Sequence, residues 1–150
     1  MSFKNKISQI RQVKRRLNDF IGQSALKNSN IIEDAIAQDQ LFEKGIDGLR
    51  RTLGQYAPST IQFKRTIAGA LGRSTRTDHI TLKDTGAFHK SIKVKLGSDG
   101  LTIDSDPVKE DTNLLDEFGE EILFLTEENL NDFRHNFLLD DLRTSIRAAL

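Results

Sequence analysis

The sequence predicts an α+β domain: a small antiparallel sheet, the hairpin 92–96/101–105, packed by amphipathic helices from both ends of the chain. Three observations carry this. Ile92, Val94 and Leu96 alternate with Lys93 and Lys95, and Leu101 and Ile103 alternate with Thr102 and Asp104, the period of half-buried strands. Gly97-Ser98-Asp99-Gly100 between them has the composition of a hairpin turn. Apolar residues near each terminus recur at helical spacing. A two-residue loop at Ser98-Asp99 pairs Val94 with Ile103 and Leu96 with Leu101. A loop at Asp99-Gly100 also keeps the apolar residues on one face, whereas a simple three-residue loop splits them unless a bulge restores the register. A lone hairpin is marginal in water, so helices or further strands must cover its apolar face.

With 150 residues the chain is long enough for one domain, 1–150, with a real core. It has no cysteine, which excludes disulfides and thiolate metal sites. No apolar run approaches membrane-spanning length and no signal peptide is recognisable, so no membrane partner is expected. Formal net charge is +0, but the signs are segregated. Lys4, Lys6, Arg11, Lys14, Arg15 and Arg16 crowd the N-terminus, and Arg73, Arg76, Lys83, Lys90, Lys93 and Lys95 the middle. From Asp104 to Glu128 acids dominate. Such segregation suits a protein that meets copies of itself or neighbours through opposite-sign faces. The plainer reading is solvated charge on helix surfaces, where exposed pairs contribute under about 1 kcal/mol each.

In chain order, residues 3–20 read as a helix with Ile7, Ile10, Val13, Leu17 and Phe20 or Ile21 on one face, stopped by Gly22. This is an N-terminal helical arm within residues 1–28. Asn28-Ser29-Asn30 offers N-caps for a second helix, 31–44, which buries Ile32, Ala35, Ile36 and Phe42 and ends at Gly45. Residues 45–58 read as loop. Ser59 or Thr60 caps a short helix through about residue 70, and 72–78 is an exposed, mobile, basic loop. Asp84 caps a helical turn holding Ala87, Phe88 and Ser91. Pro107 closes the second strand. A short helix then starts at Asp111 or Thr112, runs through Phe118 and ends at Gly119. Ile122-Leu123-Phe124-Leu125 is a third strand or a buried connector. Thr126 caps the last helix of segment 126–150, whose stripe is Leu130, Phe133, Phe137, Leu138, Leu142 and Ile146.

No catalytic signature stands out. Gly69-Ala70-Leu71-Gly72-Arg73-Ser74 lacks the glycine spacing, the lysine and the preceding strand of a phosphate loop. Asp104, Asp106, Glu110 and Asp111 could hold a hard cation, and a metal-dependent nuclease using Asp104 and Asp106 is one alternative function. His79, His89 and His135 form no helical zinc pair, and Thr85 and Ser91 have no evident base. A nucleic-acid-binding module using Arg73, Arg76 and the basic N-terminal helix is a second alternative, without aromatic interleaving to support it. No cofactor is expected.

The segment Leu82-Lys83-Asp84-Thr85-Gly86-Ala87-Phe88-His89-Lys90-Ser91-Ile92 resembles the L-x-D-T-G-x-L-x-x-S segment of tailed-phage virion morphogenesis proteins, the minor-tail, tail-completion or head–tail joining family. The nearest pattern occurs among phage and prophage proteins of gut Bacteroidota. In that family the segment leads into a hairpin and then a short helix ending in an acid-aromatic-Gly step, here matched by Glu117-Phe118-Gly119. Upstream, a helix ending near Gly45, then Ser59-Thr60 and Lys64, also fits, so the resemblance covers a core of about 31–125. Asn113-Leu114-Leu115 and Ile122-Leu123-Phe124-Leu125-Thr126 depart from the family's Tyr-Ala and Pro-Ala-Arg-Pro-Phe-like steps. The resemblance implies a structural, non-enzymatic virion protein of the neck or tail. Its expected partners are its own copies in a ring and other phage neck and tail proteins; contact with DNA in the lumen is an open alternative. It would reside in the virion, and in the host cytoplasm during assembly. Together with the charge pattern this makes Lys14, Arg15, Arg16, Arg73 and Arg76 the expected basic side of a subunit contact, and Glu117, Glu120 and Glu121 the acidic side.

Overall fold

The computed structural model describes residues 3–98 and 100–150, without the side chain of Phe3. The chain is α+β, with terminal helices packing on a two-stranded hairpin. Its order is α1 (Phe3–Lys27), α2 (Ser29–Asp34), α3 (Pro58–Thr66), α4 (Ala87–Ser91), β1 (Lys93–Gly97), β2 (Gly100–Asp104), β3 (Val108–Lys109), β4 (Thr112–Asn113), α5 (Leu114–Phe118), α6 (Glu127–Phe133) and α7 (Leu139–Ala149). The register of β1 and β2 pairs Val94 with Ile103 and Leu96 with Leu101, as a two-residue loop requires. Ile92 and Ser105 fall just outside the strands, and Asp99 of the turn lies outside the described residues. Val94 is buried, but Leu96 and Leu101 at the hairpin's tip stay 41% and 39% exposed.

Gly22 does not stop the first helix. α1 runs through it to Lys27, because the missing side chain is used for packing. A Cβ there would lie 3.0 Å from Leu96 Cδ1, so glycine lets the hairpin rest directly on the helix. Beyond Lys27, Asn28 gives no side-chain cap to α2. Its Nδ2 instead donates to Ser24 O and to Asp141 Oδ2, both at 2.8 Å. Ser24 Oγ and Lys27 Nζ donate to the same carboxylate at 2.7 and 2.6 Å, which clips α1 to α7.

α2 continues as a π-helix, Ala35–Lys44, ended by Gly45 in the left-handed conformation. Side chains five apart pair along it, Gln38 with Glu43 and Asp39 with Lys44. The wider turn changes which residues are buried. Ile32 and Ile36 are core as expected, but Gln40 and Leu41 are fully buried, while Ala35 and Phe42 are only half-buried. Gln40 joins this helix to the C-terminal segment. Its Nε2 donates to Phe124 O at 2.8 Å, and its Oε1 accepts from Thr126 N at 2.8 Å and Asn129 Nδ2 at 3.0 Å.

Several boundaries differ from the sequence expectation for local reasons. Pro58, not Ser59 or Thr60, begins α3, as its fixed φ favours at N1, and a 3-10 turn, Ala68–Leu71, follows. β2 ends at Asp104, and a second small hairpin, β3–β4, follows Pro107. α5 starts only after Asn113, whose side chain accepts from Leu115 N. Gly119, at φ 88°, ends that helix. Residues 122–125 are not a strand. They fall in and after a 3-10 turn, Glu120–Leu123, as a connector with Ile122 and Leu123 in the core. Thr126 caps α6 by accepting from Asn129 N at 3.2 Å, and a π turn, Arg134–Leu138, joins α6 to α7.

The core gathers Ala25, Ile32, Ile36, Leu41, Phe88, Ile92, Val94, Leu114, Ile122, Leu123 and Phe133. Its buried members thus come from residues 25–41 and 88–133.

Candidate interaction surfaces

The segment that carries the family-like pattern folds as a knot between three parts of the chain. Thr81, fully buried, accepts at Oγ1 from Lys83 N and exchanges a hydrogen bond with Tyr56 OH at 3.0 Å; Thr81 N also donates to Tyr56 OH. His89 Nε2 donates to Thr81 O at 2.8 Å. Leu82 and Gly86 both have left-handed backbone, φ 52° and 89°, and fold the chain back on itself between them. The fold-back sets Asp84 between Arg73 and Lys109, at 3.4 and 3.0 Å. Asp84 therefore does not cap α4. Gly86 is the N-cap residue, and Thr85 Oγ1 accepts from Ala87 N. Ser91 Oγ donates to Phe88 O and accepts from Asp106 N at 2.8 Å, which fastens α4 to the chain leaving β2. Asp84, Thr85, Gly86 and Ser91 each thus perform a local structural task.

A cleft of about 470 Å³ lies beside this knot, walled by Tyr56, Phe63, Phe118, Lys64, Arg73, Lys83, Asp84 and Lys109. Its cations are already engaged. Lys64, 6% exposed, donates to Ser74 O at 2.9 Å and lies over the Tyr56 ring. Arg73 lies over Phe63, and Lys83 over Phe42.

Residues 72–78 are tied down rather than free. Arg76 binds Glu43 and Asp78 at 2.8 Å each and stacks on Phe42. The Arg76 guanidinium holds the Asp78 carboxyl down at about 2. The same guanidinium keeps Glu43 below the carboxylate range. Arg76 is therefore neutralised within the chain, and Arg73 shares the Asp84 carboxylate with Lys109.

The N-terminal cations behave differently. Lys4, Lys6, Arg11, Lys14, Arg15 and Arg16 are exposed on α1, and no acid occurs before Asp19. Among the described residues none of them has a carboxylate within 4.0 Å. Arg16 alone has an aromatic contact, over Phe20 at 5.1 Å. Elsewhere Lys27, Lys44, Arg50, Arg51, Lys93, Lys95, Arg134 and Arg143 meet carboxylates of this chain, and exposed cations without one, Arg65, Lys90 and Arg147, stand singly rather than in a run. Sequence charge counts found the stretch; its isolation from counter-charge is visible only in the fold.

On the acidic side, Glu117 and Glu120 are exposed and make no ion pair among the described residues. Glu121 is engaged by Arg51 at 3.3 Å. Arg51 is itself gripped by buried Asp47 at 2.7 Å, and that carboxylate also accepts from Leu49 N and Arg51 N.

Asp104 and Asp106 do not converge. Lys95 pairs with Asp104 and holds its carboxyl below the usual range, while Asp106 turns to Val108 N. Glu110 and Asp111 stand exposed at the β3–β4 tip. Among the described residues no group of three or more His, Asp or Glu is arranged to hold a metal ion, and no helix is long and apolar enough to cross a membrane.

No family model, curated protein or solved structure matches this chain.

Proposed function

We propose that the protein is a structural subunit of a tailed-phage neck or tail, repeated in a ring at the head–tail junction or tail end, and that α1 is the element reaching its neighbour. One observation carries the reading. Among the described residues the cations of residues 4–16 have no carboxylate within 4.0 Å, and Glu117 and Glu120 make no ion pair. Charge left unpaired within a subunit fixes register and rejects wrong partners when it meets its complement on another, while apolar contact supplies the affinity. Heterologous contacts of this kind close into rings when the rotation allows. The family resemblance of 82–92 points the same way. Arg73, Arg76 and Glu121 contribute to the fold rather than the contact, because each is already paired.

The test is imaging of assembled particles together with native mass of the isolated protein. Repeating copies are expected, with Arg15 and Arg16 against a neighbour. Arg15→Glu with Arg16→Glu should weaken assembly, and raised salt should weaken it in the unaltered protein. Single copies, or copies with both arginines facing solvent, would sink the reading. The same isolated cations favour a second reading, nucleic-acid contact, whose mark is a DNA affinity falling steeply with salt.

A further inference from the structure

We propose that the neighbour's receptor for α1 is an apolar groove between β2, α5 and α6 of a second copy of this chain. This rests on the ring reading above and gives it a specific contact. The groove, about 570 Å³, is walled by Leu101, Ile103, Leu115, Leu123, Phe124 and Leu130. Leu101 and Phe124 are 39% and 48% exposed there. Its polar rim holds Asp104 and Glu120, and no lysine or arginine lines it. Lys95 already pairs with Asp104, which leaves Glu120 as the free anion, and Asp116 and Glu117 stand exposed on adjoining α5. An apolar trough with unpaired acids beside it disfavours DNA and suits a basic amphipathic helix.

The N-terminal half of α1 is such a helix. Ile10 is 59% exposed, the largest exposure of any isoleucine in the apolar stripe the sequence predicts for α1. Lys6 and Lys14 flank it at i−4 and i+4, so cation, isoleucine and cation form one stripe. The arm cannot serve its own groove while α1 stays continuous. Gly22 is fixed against Leu96, and Ile10 stands about 18 Å further along the helix axis at 1.5 Å per residue. Gln9 Nε2 donates to Leu150 O at 3.2 Å, which keeps the arm alongside α7. The partner that supplies a matched groove is therefore another copy, docked head to tail.

The natural chain has no cysteine, so single cysteines report this contact cleanly. Ile10→Cys and Phe124→Cys both alter exposed positions. Mixed in equal amounts under mild oxidation, the two variants should give the mixed disulfide, one chain of each, well above its random-collision share of about half the dimers. Glu120→Lys in the Phe124→Cys partner should reduce that excess about fivefold, and Lys14→Glu in the Ile10→Cys partner should restore part of it, as expected for one desolvated charge pair. Sedimentation of the unaltered protein runs in parallel. A random product ratio overturns the docking. If oligomers sediment in that case, the ring reading stands with its contact elsewhere. Monomers in sedimentation, together with single copies in particles, remove both.

Discussion

Replacing Gln40 by leucine tests the joint between the π-helix and the C-terminal helix. The side chain is fully buried and satisfies Phe124 O and Thr126 N, each at 2.8 Å. Leucine has similar bulk but neither donor nor acceptor, so two backbone groups lose their partners. Asn129 Nδ2 keeps its bond to Asp39 Oδ2 at 3.0 Å, so it adds little. At about 1–3 kcal/mol for each of the two stranded groups, offset by about 1–2 kcal/mol for the added apolar burial, the net loss centres on about 2.5 kcal/mol within a span of about 0–5 kcal/mol. Against a total of about 5–15 kcal/mol this is a large fraction. Urea unfolding followed by circular dichroism measures it as a lower midpoint at unchanged slope. Gln40→Glu separates chemistry from shape. When protonated, the new carboxyl can still donate to Phe124 O; when ionised, it is a buried charge facing that carbonyl. Its folded pKa is therefore raised, and the variant should lose stability as pH rises above the ordinary glutamate value of about 4.3. A Gln40→Leu variant more stable than the unaltered protein, or a Gln40→Glu variant insensitive to pH, would refute the reasoning.

Gly48→Ala should cost about 3 kcal/mol in the same assay, since its Cβ would lie 2.4 Å from Phe124 Cβ and from Phe124 O, and backbone cannot swing aside. Val94→Asp should cost about 3 kcal/mol or more, because it buries a charge beside Glu33, whose Oε1 already accepts from Val94 N. Burial pushes the His89 imidazole below the usual histidine range, and Lys83 adds to this. The unfolded chain therefore takes up that proton first, near pH 6.5, and stability should fall as pH drops from there towards the folded value; His89→Gln should flatten this part of the profile. A further acid loss should appear between 3.8 and about 2, where the folded-state Asp78 carboxylate held by Arg76 becomes protonated; Arg76→Gln should abolish that second step.

The hairpin was legible because alternation and loop length constrain each other, and a slipped register would have turned Val94 outwards. Gly45, Gly119 and Thr126 were legible because a left-handed stop or a cap is a local property of the residue. What escaped was set by distant partners. Gly22 reads as a stop, and only Leu96 pressed against it shows why the helix continues. Asn28 reads as a cap, yet Asp141, more than a hundred positions away, takes its amide. Gln40 sits outside any apolar pattern and is buried because it meets backbone from the C-terminal segment. Residues 72–78 read as mobile because Glu43, which anchors Arg76, lies on another element. The basic stretch of the candidate contact was plain from composition, but the apolar groove was not. Leu101, Leu115, Phe124 and Leu130 belong to four separate segments, and only folding sets them side by side.

The Glu33 carboxylate beside β1 also bears on aggregation. A two-stranded sheet has two open margins, each able to recruit a strand from another molecule. At β1 the amide of Val94 is already occupied by Glu33 Oε1 at 3.1 Å, and Lys93 Nζ holds the other oxygen in place at 2.8 Å. An incoming strand would have to evict a hydrogen-bonded carboxylate that is itself held by an ion pair. Glu33→Ala would free the Val94 amide at the margin of β1. The carboxylate thus guards one edge amide against pairing with a strand of another molecule.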